Sequence, residues 1–370
     1  MNAKIKLSIT TAIIFAVIIT SYWGNIISTF TSGSISNNNN NDANSKSKLL
    51  RIGYLPNLNH AQAVIGLQNS SLQKSLDNNN IEIKSYIFNS GPSAIEALYA
   101  GQVDVAYVGP LPTINGYLAS GGKELKIISG SASGGAVFVV RNDSGIQSTK
   151  DLGGKKFASP QIGNTQDIAL RKYLLDNGYK TVENGGNVTV IPIANPDILT
   201  LFLKKEIDGA WVPEPWGARL LKEGNGRIFL DERDLWPDGK FVTANIAVST
   251  DYLKNNPEII KQLLVGHLEE TDWINNNREK ATQNLNIALK KITGKTIPED
   301  ELIDAFSRLD FTYDPISESL LRQADNAYDL GYFANATSTK PDLSGIYDLT
   351  ILNSILEENK QTKIESSPSS

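Results

Sequence analysis

The sequence contains no cysteine, which excludes thiol catalysis, disulfides and thiolate-held metals. It has two histidines, His60 and His267, far apart in the chain, so a histidine-based metal cluster is not expected. Excess positive charge is also missing: the net charge of −5 argues against a nucleic-acid binder. A Walker-type phosphate loop is absent, because Gly153-Gly154-Lys155 lacks the required spacing. A nucleophile elbow is absent too, since Ala132 stands at the centre of the Gly130 to Gly134 frame. No cofactor and no metal are expected.

What is present suits a globular protein. The chain has 370 residues, 40% hydrophobic and 20% charged, which is enough for about two domains. Lys4 and Lys6 precede an uncharged apolar run from Leu7 to about Phe30, the pattern of a signal peptide. That run is also long enough to span a bilayer core of ~30 Å. No small-x-small cleavage site stands out. An uncleaved N-terminal membrane anchor over residues 1–30 is the expectation, with a cleaved signal peptide as the alternative. Residues 31–48 are rich in Ser and Asn, include the run Asn37 to Asn41, and read as a flexible tether.

From Leu49 onward strands and helices alternate, which predicts an α/β protein with a largely parallel sheet. Strands are expected at Leu49 to Leu55, Ile81 to Phe88, Val103 to Val108, Leu125 to Ser129, Ala136 to Val140, Lys156 to Ala158, Val188 to Ile193, Gly209 to Val212 and Phe241 to Val248. Gly130 to Gly135 reads as a close-approach loop between two of them. Beyond Asp251 the pattern is helical. A last helix is expected from Ile346 to Glu357, followed by a disordered tail from Asn359.

Two helix starts carry polar, glycine-containing turns. The stretch Ala158 to Leu175 reads as strand end, turn and amphipathic helix, with Leu170 and Leu174 on one face. Thr165 is the expected N-cap, because its hydroxyl can accept a free backbone N–H of the first turn. Asp167 then falls where a carboxylate suits the helix dipole. Asn89-Ser90-Gly91-Pro92-Ser93 repeats the device, with Pro92 at an early helical position. An open helix N-terminus can bind a small anion without a positive side chain. If the two starts face one another, they define a cleft. His60, at the end of the first strand, and Glu214, stiffened between Pro213 and Pro215 and flanked by Trp211 and Trp216, are further candidates.

These residues resemble a known family: the solute-binding proteins of ABC importers for nitrate, sulfonates, taurine and bicarbonate. The resemblance runs from about Leu49 to Gly331. Its carriers are Arg51 to Asn57, Gly91 to Ala94, Asp104 to Gly109, Ser159 to Asp167 and Trp211 to Trp216, in that order and spacing. It implies a two-lobe, type II periplasmic-binding-protein-like fold with the ligand between the lobes. Lobe one would comprise residues 49–140 plus 242–331 and lobe two residues 141–241, with residues 332–370 as a C-terminal extension. The chain would cross between lobes near Arg141 and near Phe241. The cleft positions implied are Asn57, His60, Ser90, Gly91, Gly109, Ser131, Gln161, Asn164, Thr165 and Glu214.

The resemblance further implies a non-enzymatic, monomeric, extracytoplasmic protein. It would capture a small anion by hinge closure and deliver it to a membrane permease driven by an ATPase. Neutral donors and helix N-termini suit a sulfonate, nitrate or bicarbonate group. Glu214 or Asp167 in the site would favour a ligand that also carries an amine, such as taurine. The family's lipid-anchoring cysteine is missing, so the anchoring must differ. Two alternatives stay open: a protein of thiamine-pyrimidine synthesis with His60 as its reactive group, and a ligand-sensing ectodomain.

Overall fold

Short apolar runs without polar interruption become the strands buried on both faces, as sheets covered by helices on both sides require. Val105 to Val108 and Gly209 to Pro213 are buried throughout. A computed structural model describes residues 48–77, 81–333 and 340–366. The anchor and tether expected over residues 1–48 lie, all but the last residue, outside them. Among the described residues no helix is long and apolar enough to cross a membrane.

The strands are β1 (Lys48–Tyr54), β2 (Ile81–Ile87), β3 (Val105–Val108), β4 (Leu125–Gly134), β5 (Ala136–Arg141), β6 (Lys156–Pro160), β7 (Thr189–Ile193), β8 (Gly209–Pro213), β9 (Gly226–Asp231), β10 (Val242–Ser249) and β11 (Leu309–Phe311). The α-helices are α1 (Ala61–Gln68), α2 (Ser71–Asp77), α3 (Gly91–Tyr99), α4 (Pro110–Ala119), α5 (Thr165–Asp176), α6 (Asn195–Leu203), α7 (Trp216–Lys222), α8 (Thr250–Asn255), α9 (Pro257–Asn276), α10 (Arg278–Thr293), α11 (Glu299–Ser307), α12 (Ser317–Asp329) and α13 (Thr350–Glu358).

The strands form two sheets. One has six strands in the order β11-β4-β10-β3-β1-β2, the other five in the order β7-β6-β8-β5-β9. Helices cover both faces of each sheet. Leu263 and Leu264 of α9 and Leu285 of α10 pack on one face of the larger sheet, Leu98 of α3 and Ile114 of α4 on the other. Ile198 and Phe202 of α6 cover one face of the smaller sheet, Leu170 and Leu174 of α5 the other.

Four expectations are corrected here. The sheets are mixed rather than largely parallel: β1 runs parallel to β2 and β3, and β6 to β7 and β8, but β10 pairs antiparallel with β3 and β4, and β5 with β8 and β9. The cause is topological. The chain leaves the larger sheet on β4 and re-enters on its neighbour β10, so those two strands run in opposite directions, and so do β5 and β9. The first crossover falls at Gly134-Gly135, both with left-handed φ (75° and 71°), and not near Arg141. The strand Ala136 to Arg141 therefore belongs with β8 and β9, not with residues 49–135. The Gly130 to Gly135 segment is a strand to Gly134, not a loop. β10 and β11 take up its backbone on both sides, and a Cβ on Gly130 would lie 2.2 Å from the Asp314 carbonyl oxygen. The expected free tail is also folded back as far as Ile364, whose N–H and C=O both bond the Asn353 side chain at 2.8 and 3.0 Å.

Candidate ligand cleft

The two polar helix starts meet. Ser90 caps α3, with its Oγ 3.5 Å from the Ser93 N–H. Asn164, not Thr165, caps α5, its Oδ1 accepting from the Thr165 N–H at 3.2 Å. The Asn164 backbone is extended (φ −76°, ψ 160°), as a cap must be, while Thr165 already lies within the helix. A Cβ on Gly91 would lie 3.4 Å from Asn164 Oδ1 and 2.5 Å from Pro112 Cγ. A Cβ on Gly109, the cap of α4, would lie 2.8 Å from Thr165 Oγ1 and 3.6 Å from the Thr243 carbonyl oxygen. Glycine at 91 and 109 thus lets elements of the two sheets approach within van der Waals distance.

Several buried polar atoms near this junction have no partner. They include Thr165 Oγ1, Asn57 Oδ1, Asn59 Oδ1 and Asn245 Oδ1. Of these four, only the Thr165 hydroxyl can donate; the other three are amide oxygens, which accept. Asn59 Nδ2 donates to the Gly134 carbonyl and Thr243 Oγ1, at 3.0 and 2.9 Å. Asn245 Nδ2 donates to Thr113 Oγ1, which in turn donates to the Gly109 carbonyl at 2.9 Å. Asn59, Thr113, Thr243 and Asn245 were not among the sequence candidates. Asn245 carried a signal, as an amide inside an otherwise apolar strand.

A cavity of about 430 Å³ opens between elements of the two sheets, and none of Ser90, Gly91, Gly109, Asn164 and Thr165 lines it. Asn57, Phe88 and Asn89 line it from the larger sheet's elements, Asn195, Trp216 and Arg219 from the smaller sheet's. The segment after α10, Lys295 to Pro298, closes another side. Arg219 and Lys295 against Glu223 leave the lining with one net positive charge. Arg219 sits over the Trp216 ring at 4.8 Å.

The remaining candidates lie differently. Asn57 is buried, and its carbonyl oxygen accepts from the His60 N–H. His60 is buried with Nδ1 accepting from the Leu55 N–H at 3.1 Å, and burial pulls its pKa down to about 3, so it is neutral. Its role is to fix the turn after β1. Ser131 donates to Gln62 Oε1 at 2.9 Å within the core of the larger sheet. The side chain of Gln161 is exposed, and the backbone carbonyl oxygen of Gln161 accepts from the Asn164 N–H. Glu214 is fully buried. One oxygen pairs with Arg308 Nε at 2.6 Å and the other accepts the Ala218 N–H at 3.0 Å. Asp167 is consumed as well, by Ser159 Oγ at 2.6 Å, the Gly163 N–H and Arg171. Neither carboxylate is left free to take a ligand's amine.

Two helix-covered α/β sheets, joined by two adjacent crossovers and meeting through helix N-termini, make up the fold of the periplasmic binding proteins. Solved structures bear the same likeness. The nitrate-binding protein from Synechocystis PCC 6803 superposes with a TM-score of 0.72 at 16% identity, covering 88% of this chain and 92% of that one. The alkanesulfonate-binding protein from Xanthomonas axonopodis pv. citri, bound to MOPS, does so with a TM-score of 0.65 at 18% identity, covering 78% and 95%. Residues 43–288 match the NMT1-like family, and the chain belongs to it. Among related sequences, a Bacillus subtilis protein named for binding aliphatic sulfonates is 23% identical over 325 residues, 84% of this chain and 89% of that protein. The taurine-binding periplasmic protein of Escherichia coli is 26% identical over 174 residues, 47% of this chain and 52% of that protein.

Proposed function

We propose that this protein is the extracytoplasmic solute-binding component of an ABC importer. It captures a small anion of the sulfonate, taurine, nitrate or bicarbonate kind and passes it to a membrane permease with its ATPase. The observation that carries this reading is the meeting of the α3 and α5 N-termini at Gly91 and Asn164, beside the unpartnered Thr165 Oγ1. Each helix end contributes roughly 0.3–2 kcal/mol toward a bound anion. Residues 48–134 with 242–331 act as one lobe and residues 136–231 as the other, closing about the paired crossovers. The N-terminal segment holds the protein at the membrane as a monomer. The relatives' named ligands support the anion class.

The reading that needs a reactive histidine at position 60 gains no support, since His60 is buried with Nδ1 engaged. A thermal-shift screen of the full chain against nitrate, bicarbonate, taurine, alkanesulfonates and pyrimidines tests the proposal. A ligand at a hundred times its Kd stabilises by about 2.7 kcal/mol. Asn164→Leu with Thr165→Val abolishes that shift. A shift that survives the double substitution moves the site elsewhere, and a response to pyrimidines alone rejects the anion.

A further inference from the structure

The chain carries four Asn-x-Ser/Thr triplets, at Asn69, Asn142, Asn187 and Asn335, the acceptor pattern for an N-linked sugar. Asn335 lies outside the described residues. The other three asparagines are exposed, but the fold treats them differently. Asn69 Oδ1 accepts from the Ser71 N–H at 2.8 Å, and the Ser71 hydroxyl is spent on Glu270. Asn142 Nδ2, the atom a sugar would join, donates to Asn225 Oδ1 at 3.1 Å. The hydroxyl of that triplet, on Ser144, is buried and donates to the Arg141 carbonyl at 2.7 Å. The residue between them, Asp143, is held by Arg141 and Lys205.

Asn187 has none of these ties. It ends a run of exposed residues that begins at Val182, and no hydrogen bond among the described residues engages its side-chain amide. The amide stands beside Gly153, where a Cβ would lie 3.5 Å from Nδ2, so glycine there leaves the nitrogen uncrowded. Only the middle residue, Val188, is buried, and its bridge to Thr181 pins the turn with Asn187 outward. Thr189 opens β7, the outermost strand of the smaller sheet. The register sets this place apart from the cleft. Thr189 pairs with Lys156 at the start of β6, whereas the turn into α5 follows Pro160 at its end, ~13 Å of strand further on.

We propose that Asn187 is an N-glycosylation site, and that Asn69 and Asn142 stay bare. This rests on the extracytoplasmic reading above, because the donor is a lipid-phosphate-linked oligosaccharide on the outer side of the membrane. Asn187 Nδ2 attacks the anomeric carbon of the first sugar. The new N–C bond forms as the C–O bond to phosphate breaks. The lipid phosphate leaves with that electron pair, and the amide gives one proton to a base of the transferring enzyme. The product is bulky and hydrated. It stands at the end of the smaller sheet opposite the helix junction and leaves the cleft open.

Mass spectrometry of proteolytic peptides from the full chain, purified from the cells that naturally make it, tests this. The expected result is a sugar-sized mass shift on the peptide holding Asn187, with the Asn69 and Asn142 peptides unshifted. Asn187→Gln and Thr189→Ala abolish the shift, and Thr189→Ser, which keeps the hydroxyl, retains it. Melting of each variant checks that it folds. A bare Asn187 peptide, a shift that survives Thr189→Ala, or a sugar on Asn69 or Asn142 overturns the assignment. Protease treatment of intact cells separates the two readings. A chain cut from outside yet bare at Asn187 leaves the extracytoplasmic location standing, whereas a chain protected until the cells are lysed removes both.

Discussion

Glu214 and Arg308 show how a carboxylate that looks like a ligand contact can be spent elsewhere. Both are buried, and their 2.6 Å contact ties the end of β8 to the residue before β11. Removing one partner of a buried pair strands the other charge in a poor solvent. Arg308→Ala is expected to cost about 3–5 kcal/mol in urea melts, and Glu214→Gln on top of it to recover part of the loss. A loss below about 1 kcal/mol would mean that water reaches Glu214. Glu232 is a different case. It is buried on the second crossover, accepts from Trp211 Nε1 at 2.7 Å, and burial raises its pKa from 4.5 to about 7. The unfolded chain therefore releases this proton at lower pH than the folded chain does. Stability from this group is full below pH 4.5 and lost as pH rises toward 7. Glu232→Gln, which keeps an acceptor for Trp211 and carries no charge, is expected to stabilise the protein at about pH 8 by on the order of 2 kcal/mol and to change little at about pH 4. Equal effects at both values would show a packing role only.

The helix starts were the most legible elements, because capping is local chemistry. Ser90-Gly91-Pro92 and the Gly163-Asn164-Thr165 turn announced α3 and α5 within one residue of their true beginnings. The Gly/Ser run before Ala136 misled, because its backbone partners, β10 and β11, come from more than 100 residues away and no local signal reports them. The crossover position was missed for the same reason: Ala136 to Val140 is apolar in any sheet, and only its pairing assigns it. Of the helix junction, the glycines and amides were readable. Asn195 and the wall from α10 were not, since they reach the cavity through the fold alone. Gly109 offers a test at this scale. Its φ of −68° suits any residue, so Gly109→Ala strains nothing in its own backbone. The added methyl instead meets Thr165 Oγ1 at 2.8 Å, across the junction. The expected result is a loss of ligand affinity of about tenfold or more, roughly 1.4 kcal/mol. Ligand-free stability should stay within about 1 kcal/mol of wild type. Unchanged affinity would separate this junction from binding.

Across the whole molecule, the two histidines sit at two places in the larger sheet's surroundings and both are held neutral. His267 accepts from the Tyr107 hydroxyl at Nδ1, 3.2 Å away, and Nε2 must carry the proton, because its 2.9 Å partner is the Gly130 carbonyl. Burial lowers its pKa from 6.5 to about 4, and that of His60 to about 3. Below pH 6.5 the unfolded chain takes up protons that the folded chain refuses, so each histidine costs about 1.4 kcal/mol per pH unit as acid is added. Glu232 works in the opposite sense between about 7 and 4.5, with the same slope. From these three groups, two against one, stability should fall by about 1.4 kcal/mol per unit between pH 6.5 and 4.5. Below pH 4.5 Glu232 no longer opposes the change, and the slope steepens to about 2.8 kcal/mol per unit until His267 charges near 4. His267→Gln removes one histidine from that balance. The slope between pH 6.5 and 4.5 attributable to these groups should then vanish, leaving His60 and Glu232 to cancel. Urea melts of the wild type and the variant at several pH values across that window measure the difference. An identical slope in both proteins would mean that His267 is protonated in the folded state and that the Tyr107–His267–Gly130 chain is wired the other way.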